Sequence, residues 1–296
     1  MNRVKKAIFP IAGLATRFLP ESKVVPKELI PLADKPLVHY NIEEAILSGI
    51  TDIAFITRQK QKGAIEYFED NKVLEQILEE NKKQKELKIL SDLRELSGHV
   101  KFSTYKQSRP TGDANAIFQA KDFLSKEPCA ISFCDDVVDS NIPCIEQLQE
   151  MFLTCGRPVL ALKRVPPERI PSYGIVKVEK IANRFYKIKS VSQKPKVEDA
   201  PSDLAILGRM IVTPDVFEYL SNNRDAMNKD RSITQALGEM AELGKPVYGY
   251  EIEGDWLECG DIVSWYKSFI KLALKDKENG ETLRKYLKTL KLWSSI

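Results

Sequence analysis

Strand-like segments alternate with helical segments over the first 155 residues of the chain. Four short segments are typical of strands: 5–12, 52–57, 101–105 and 129–136. Between them lie three segments with the apolar spacing of helices: 36–48, 61–86 and 114–125. Since parallel strands need crossover connections, which are usually helices, this alternation predicts a mostly parallel sheet with helices on both faces.

The second half of the chain has a different pattern, in which strand-like alternation is interrupted by turn residues. The strand-like segments are 158–165, 173–180, 185–195, 205–212 and 246–252. Helical segments are predicted at 214–221 and 232–243, with two more helices after Gly260. We therefore expect an antiparallel or mixed extension laid beside the first sheet.

No internal repeat or low-complexity linker divides these two halves. We predict a single α/β domain over 1–296, in which a Rossmann-like, mixed and mostly parallel central sheet is flanked by helices. Within it we expect a first lobe at 1–155, a second lobe with the antiparallel extension at 156–260, and C-terminal helices at 261–296. Ligands of open α/β sheets bind at the carboxyl ends of the strands, so a site is expected in the loops there.

Composition argues against several kinds of site. Lys plus Arg number 45 against 42 for Asp plus Glu, so no overall basic field predicts a nucleic-acid partner. Only two histidines occur, which argues against a histidine base or a multi-histidine metal site. The five cysteines form no C-x-x-C pair. No signal peptide or run of about 18 apolar residues is present, so we expect a cytoplasmic protein with reduced thiols and no membrane partner.

The loop after the first strand, FPIAGLATRFLPESKVVPKELIPL (9–32), predicts an anion site. Gly13 lets backbone N–H groups approach phosphate oxygens, and Arg17 and Lys27 lie on a path that three prolines stiffen. A Walker loop needs Gly-Lys-Ser/Thr and a dinucleotide fingerprint needs three glycines, and neither is found here. The alternative is a surface loop with scattered charges. It is the weaker interpretation, because the prolines restrict the backbone that carries both cations.

Two adjacent carboxylates, Asp135 and Asp136, end the strand-like segment at 129–136. Mg²⁺ typically binds one or two carboxylates and completes its shell with substrate phosphates and water. The alternative is a helix N-cap or an ordinary loop acid. Because these aspartates are predicted at the same sheet edge as the opening loop, we favour the metal site.

Three other polar clusters are weaker signals. Gly112, in QSRPTGDANAI (107–117), turns the chain before a helix whose free N–H groups could bind an anion or a base edge. The segments SQKP (192–195) and WLECGD (256–261) end predicted strands, and ordinary turn chemistry would also explain them. Together, fixed cations, a Mg²⁺ site and few histidines suit nucleotidyl transfer to a phosphate, which is already ionised near pH 7 and needs no histidine base.

The order and spacing of these residues resemble the bacterial UTP–glucose-1-phosphate uridylyltransferases, within the sugar-phosphate nucleotidyltransferase superfamily. The family signature G-x-G-x-R-x-x-P-x-T-x-x-x-P-K-E corresponds to Gly13, Ala15, Arg17, Pro20, Ser22, Pro26, Lys27 and Glu28. Further matches are DKPLVHY (34–40), Gln107 with Gly112, DD (135–136), VPPE (165–168), SYGIV (172–176), KPK (194–196), LAILGRMIVTPDVF (204–217) and CGD (259–261). The resemblance implies an enzyme that makes UDP-glucose and pyrophosphate from UTP and glucose 1-phosphate, with Mg²⁺ as cofactor, by in-line attack of the sugar phosphate on the α-phosphate.

The resemblance also implies a role for each matching residue. The first lobe would bind the nucleotide through Ala12, Gly13, Glu28, Gln107 and Gly112, and the phosphates through Arg17 and Lys27. The second lobe would bind the sugar beside Gly174 and Gln193, and the sugar phosphate through Lys194. Arg17, Lys27 and Lys194 would be catalytic, and Asp135 and Glu258 would be the Mg²⁺ ligands. Relatives commonly form homodimers or homotetramers.

The sequence departs from the family pattern mainly on the sugar side. The second signature glycine is Ala15, the usual Glu before Lys-Pro is Gln193, and an Asp has become Glu258. The segments 112–116 and 230–237 also differ from the pattern. These changes leave two alternatives open: the same chemistry on a different sugar 1-phosphate, and a non-catalytic regulatory paralogue of a uridylyltransferase.

Overall fold

A nine-stranded mixed sheet runs through both predicted lobes. The structure, a computed structural model, describes residues 2–58, 62–109, 111–124, 126–223 and 231–290. Its strands are β1 (Lys6–Pro10), β2 (Pro31–Leu32), β3 (Lys35–Pro36), β4 (Asp52–Thr57), β5 (Lys101–Lys106), β6 (Cys129–Ser132), β7 (Asp136–Asp139), β8 (Val159–Arg164), β9 (Gly174–Ala182), β10 (Phe185–Gln193), β11 (Leu204–Val212), β12 (Tyr248–Glu251) and β13 (Asp255–Glu258). The order in the large sheet is β5-β4-β1-β6-β11-β8-β12-β10-β9, and β2 with β3 and β7 with β13 form two small sheets.

Helices cover both faces of this sheet. In the described part of the chain they are α1 (Leu37–Leu47), α2 (Gly63–Glu66), α3 (Lys72–Glu80), α4 (Gln84–Ser97), α5 (Asp113–Phe118), α6 (Lys121–Leu124), α7 (Cys144–Cys155), α8 (Pro214–Asn222), α9 (Ile233–Glu242), α10 (Ile262–Ala273) and α11 (Gly280–Thr289). Successive residues of β1 point to opposite faces: Ile8 packs in the core that includes α5, α8 and α9, and Phe9 packs in the core that includes α1 and α7. This arrangement explains why β1 is apolar from Ala7 to Pro10, after Lys6.

The predicted fold class is confirmed. β5, β4, β1 and β6 are parallel neighbours, as expected for strands joined by helical crossovers. The second half adds a mixed extension, in which β11 runs antiparallel to β6 and β8, and β10 runs antiparallel to β9 and β12. One further pair, β12 with β8, is parallel. The division into lobes at 1–155, 156–260 and 261–296 stays a prediction.

The continuous helix predicted at 61–86 is wrong. The described part of this region contains three helices instead, α2, α3 and α4, and residue 61 lies outside it. Asn71 starts α3, because its side chain accepts a hydrogen bond of 3.0 Å from the Leu74 N–H. Lys82, with φ of 53°, separates α3 from α4, since a left-handed residue cannot continue a right-handed helix.

Two other segments are also divided. The strand predicted at 129–136 ends at Ser132, and after a turn the chain enters β7, which pairs with β13 rather than with the large sheet. The helix predicted at 114–125 is split into α5 and α6, and residue 125 lies outside the described residues. No helix in the described ranges is long and apolar enough to cross a membrane.

Candidate active site

Two adjoining cavities open at the carboxyl ends of the parallel strands. The first has a volume of about 490 Å³ and is lined by residues that follow β1, β5 and β6. The second, of about 470 Å³, is lined by residues from β9, β10, β11 and the start of α9. Gly112, Asp113 and Phe133 border both cavities, so the two form the halves of one cleft.

The cleft brings together eleven of the twelve residues that the sequence assigned to a site. The first cavity is lined by Ala12, Gly13, Arg17, Lys27, Glu28, Gln107, Gly112 and Asp135. The second is lined by Gly174, Gln193 and Lys194. Glu258 lines neither cavity, but its carboxylate contacts Tyr173, which borders the second. The roles of these residues remain predictions.

The opening loop leaves room for a ligand at Gly13. A Cβ atom built on Gly13 would have no heavy atom of the described residues within 4 Å, so internal packing does not require glycine there. The missing side chain instead allows a ligand to approach the backbone. Ala15 lies in the left-handed region, with φ of 51° and ψ of 40°, a conformation that costs an L residue about 1–2 kcal/mol. The loop therefore keeps the backbone shape that suits glycine, although alanine occupies the position.

Lys27 and Asp135 form an ion pair at the floor of the first cavity. Lys27 Nζ donates to Asp135 Oδ2 over 2.7 Å, and it lies 5.3 Å from the ring centroid of Phe18. Burial alone would raise the pKa of Asp135, but the charge and hydrogen bond of Lys27 outweigh it and lower that pKa. Asp135 is therefore ionised at neutral pH, and its side chain keeps 37% of its surface exposed.

Asp136 faces the protein instead. Its Oδ1 accepts a hydrogen bond from Trp256 Nε1 at 2.6 Å, and its Oδ2 accepts one from the Gly208 N–H at 2.8 Å. Burial, and then the neighbouring charge of Asp135, raise the pKa of Asp136 to about 7. Of the two adjacent aspartates, Asp135 is thus the one available to a ligand in the cleft.

Glu258, at the end of β13, is held through one carboxylate oxygen. Its Oε2 accepts hydrogen bonds from the Tyr173 hydroxyl, at 2.6 Å, and from Arg169 Nη2. Arg169 also contacts the Tyr173 hydroxyl and lies 3.5 Å from Ser264 Oγ. Burial, followed by the bond to Glu258, raises the pKa of Tyr173, so its hydroxyl stays protonated and can donate.

The other oxygen of Glu258 faces the same space as Asp135. A Cβ atom built on Gly260 would lie 3.5 Å from Glu258 Oε1, 3.8 Å from Arg17 Nη1 and 3.9 Å from Asp135 Oδ2. Two carboxylate oxygens around one point suit Mg²⁺, a hard cation that prefers oxygen ligands. The described residues contain no group of three or more His, Cys, Asp or Glu side chains that could hold a metal. Asp135 and Glu258 could provide two oxygen ligands, so a Mg²⁺ ion at this point would need phosphate oxygens and water to complete its shell.

Gln193, at the end of β10, pairs with Gly174, at the start of β9, and both residues border the second cavity. A Cβ atom built on Gly174 would lie 3.4 Å from Gln193 Nε2 and 3.5 Å from Oε1, so a side chain there would displace the amide. Gln193 Nε2 donates to Thr234 Oγ1 at 2.8 Å and lies 3.4 Å from Ser232 Oγ. Within the described part of the chain Oε1 accepts no hydrogen bond, so it is the atom that can accept one from a ligand. Lys194 follows in the left-handed region, with φ of 48°.

Gln107 and the turn before α5 also line the first cavity, and the turn borders the second cavity as well. Gln107 Nε2 donates to the Gly112 carbonyl at 2.9 Å, and Gly112, with φ of 89° and ψ of 166°, adopts a conformation that is essentially restricted to glycine. One of the N–H groups predicted to be free at the start of α5 is occupied, since Ala114 donates to the Arg231 carbonyl at 3.2 Å. Glu28 borders the same cavity with 4% of its surface exposed.

Sequence reasoning missed the two residues that hold Glu258. Tyr173 could have been found from its position directly before Gly174, in a matching segment. Arg169 gave no signal, because it stands 89 residues before Glu258 and its partner is visible only in the fold.

Comparisons with known proteins place the chain among nucleotide-transferring enzymes. A model of the nucleotidyl transferase family matches residues 6–275. The UTP–glucose-1-phosphate uridylyltransferase of Staphylococcus haemolyticus (strain JCSC1435) is 36% identical over 290 residues, which cover 98% of this chain and 99% of that protein. A solved UDP-glucose pyrophosphorylase complexed with UDP-glucose has a TM-score of 0.80 at 31% identity, over 92% of this chain and 100% of that one. A UTP-bound UGPase from Acinetobacter baumannii has a TM-score of 0.87 at 27% identity, over 98% and 99% of the two chains.

Proposed function

Because this chain belongs to the nucleotidyl transferase family, and within it to the bacterial UTP–glucose-1-phosphate uridylyltransferases, we propose that it joins UTP to glucose 1-phosphate, forming UDP-glucose and pyrophosphate. The observation that carries the proposal is the convergence of Arg17, Asp135 and Glu258 around Gly260, which lines the first cavity together with the opening loop. The similar structures that hold UTP and UDP-glucose support the same substrates here.

In this proposal UTP occupies the first cavity. Its base lies toward Gln107, Gly112 and Glu28, which all line that cavity. Its phosphates run along the backbone of Ala12 and Gly13, where no side chain blocks them. The sugar occupies the second cavity, beside Gly174 and Gln193.

The chemistry needs no histidine. An oxygen of the sugar phosphate attacks the α-phosphorus of UTP while the bond to pyrophosphate breaks on the opposite side. Lys194 positions the sugar phosphate, and Arg17 and Lys27 stabilise the charge that develops on the α-phosphate. Mg²⁺ held by Asp135 and Glu258 would supply further neutralisation of phosphate charge.

The proposal is tested by pyrophosphate release with UTP and a panel of sugar 1-phosphates at several Mg²⁺ concentrations. Turnover with glucose 1-phosphate that depends on Mg²⁺ supports it. Turnover with another sugar 1-phosphate alone would favour the second candidate, which the neutral amide of Gln193 in the sugar half motivates. No turnover with any pair would favour a non-catalytic paralogue.

The substitution Gln193→Glu should increase kcat/KM for glucose 1-phosphate by up to about tenfold. A carboxylate can accept hydrogen bonds from two sugar hydroxyls, whereas the amide of Gln193 has only one accepting oxygen. Its NH₂ group is turned toward Thr234 and Ser232. Hydrogen bonds to charged groups are stronger than neutral ones by about 1 kcal/mol, which corresponds to roughly a fivefold to tenfold change in affinity. The measurement is the ratio of kcat/KM for glucose 1-phosphate to that for acidic and N-acetylated sugar 1-phosphates.

Gln235→Glu is the matched control, because it adds the same charge to the border of the second cavity from α9. There the carboxylate can still accept from the Ser232 N–H, as Gln235 Oε1 now does. If Gln193→Glu leaves the ratio unchanged, Gln193 does not set sugar choice. If both variants change it equally, the charge of the cavity matters rather than the position.

Three further expectations accompany the proposed function. The cytoplasm is the expected compartment, and the five cysteines, all free thiols, support a reducing environment. We expect a homodimer or homotetramer, measurable by light scattering. We expect neither nucleic acid nor a membrane as a partner.

A further inference from the structure

Arg209, in β11, is the largest fully buried side chain of the described residues. The reaction described above gives it no role. A buried guanidinium requires a counter-charge and acceptors for its N–H groups. Glu44 of α1 provides the counter-charge: Arg209 Nε lies 3.1 and 3.2 Å from its two carboxylate oxygens, and Nη2 lies 3.1 Å from Oε2.

The remaining N–H groups of Arg209 bind the turn between β6 and β7, which carries Asp135. Nη1 donates to the Phe133 carbonyl at 2.9 Å, and Nη2 donates to the Asp136 carbonyl at 2.6 Å. The guanidinium therefore spans the turn and holds the residue at each end of it. Gly208 allows this close approach, because a Cβ atom there would lie 2.7 Å from Phe133 Cβ and 2.5 Å from Asp136 Oδ2.

The two middle carbonyls of the same turn are also held from outside it. Asn41 Nδ2 donates to the Cys134 carbonyl at 3.2 Å, and the Cys259 N–H donates to the Asp135 carbonyl at 2.7 Å. Asn41 is itself fixed by Arg209, whose Nη2 donates to Asn41 Oδ1 at 2.5 Å. Arg209 thus makes two of the four contacts to the carbonyls of this turn, and it helps to orient Asn41, which makes a third.

Stability alone is a weak reason for such a residue. A buried ion pair is often no more stabilising than well-packed apolar side chains of the same volume. The planar fork of arginine, by contrast, provides directional donors that an apolar side chain or a lysine lacks. The feature that needs arginine is therefore the geometry of the turn rather than the charge balance.

We infer that Arg209 is a positioning residue, which holds the Phe133–Asp136 turn so that Asp135 is presented to the metal and phosphates in the cleft. The inference rests on the proposed function in taking Asp135 as a Mg²⁺ ligand. Groups that orient a ligand of a metal typically change metal affinity or activity by about 10–100-fold when they are altered.

Arg209→Lys is the decisive variant. Lysine keeps a charge for Glu44, but its single nitrogen cannot reach both the Phe133 and Asp136 carbonyls while it pairs with Glu44. We expect the affinity for Mn²⁺, titrated calorimetrically into protein saturated with UTP, to fall by about 10–100-fold, and kcat to fall with it. The affinity for UTP without metal should change by less than about twofold, because Arg209 does not line the first cavity and so does not contact UTP in the proposed complex.

Arg3→Lys is the matched control, since Arg3 also pairs with a carboxylate, Glu146, but on the surface. If Arg209→Lys does not fold, the double variant Glu44→Gln with Arg209→Gln replaces it. This variant removes both charges together, so no charge is left buried alone, and it should show the same loss of Mn²⁺ affinity. A lowered melting temperature with wild-type Mn²⁺ affinity and kcat, in either variant, would overturn the inference.

The metal titration contains no sugar, so it separates this inference from the proposed function. Wild-type protein that binds Mn²⁺ with UTP but does not use glucose 1-phosphate would contradict the proposed substrate and leave the Arg209 comparison intact. Wild-type protein that binds no Mn²⁺ with UTP would overturn the inference, because Asp135 would then have no metal to bind.

Discussion

Replacing Asp135 by asparagine should abolish turnover, with a loss of about 10³-fold or more, while the protein stays folded. Asparagine has nearly the same shape, but it offers a cation one neutral oxygen in place of a charged carboxylate. The loss should be large because Asp136 cannot substitute: both its oxygens are bound to Trp256 and Gly208. The measurement is the rate of pyrophosphate release at rising Mg²⁺ concentration, with circular dichroism to monitor the fold.

Asp203→Asn is the control for this change. Asp203 pairs with the exposed Arg164 and borders neither cavity, so the same loss of charge should leave turnover unchanged. Full activity of Asp135→Asn would show that Asp135 is not a metal ligand, and the assignment of the Mg²⁺ site would then be wrong.

Lys27→Ala should lower kcat by about 10²–10³-fold, the usual effect of removing a donor that stabilises charge in a transition state. Lys27 Nζ lies at the floor of the first cavity, and its side chain is only 19% exposed, so water cannot fully replace its charge. Its removal also leaves Asp135 without its ion-pair partner, so the pKa of Asp135 should rise. Single-turnover rates and UTP affinity, each measured with and without Mg²⁺, separate the effect on chemistry from the effect on binding.

Lys23→Ala is the matched control, because Lys23 lies in the same loop, is exposed, and does not border the first cavity. It should change turnover by no more than about twofold, as expected for a surface charge. If Lys27→Ala altered neither turnover nor UTP affinity, the opening loop would have to be interpreted as a structural connection rather than a phosphate site.

Much of the fold could be predicted because its signals are local. The alternation of strands and helices in the first half depends on apolar periodicity within short segments. It predicted parallel strands, and β5, β4, β1 and β6 are parallel, although their order was not predicted. The helix at 61–86 was wrong because its interruptions depend on single residues, the capping side chain of Asn71 and the left-handed backbone of Lys82. The apolar periodicity of the sequence continues through Asn71 and Lys82, so it does not show that the helix is interrupted there.

The candidate site could be located for a different reason. Parallel strands end at the same edge of a sheet, so residues that follow β1, β5 and β6 had to lie near one another once the strands were placed. Gly13, Gln107 and Asp135 therefore meet at the first cavity although they are far apart in the chain. Placement of residues at an edge follows from topology, but the direction of each side chain does not.

By itself, the sequence determined which residue types stand at the ends of the strands, and hence that cations and carboxylates share one edge of the sheet. Only the tertiary structure decided which of them face the cleft. Asp136 is turned inward by Trp256, 120 residues away, Glu258 is oriented by Arg169, 89 residues away, and Arg209 is neutralised by Glu44, 165 residues away. A side chain takes its direction and charge state from its contacts, and partners so distant in the chain leave no periodic pattern in the sequence around either one.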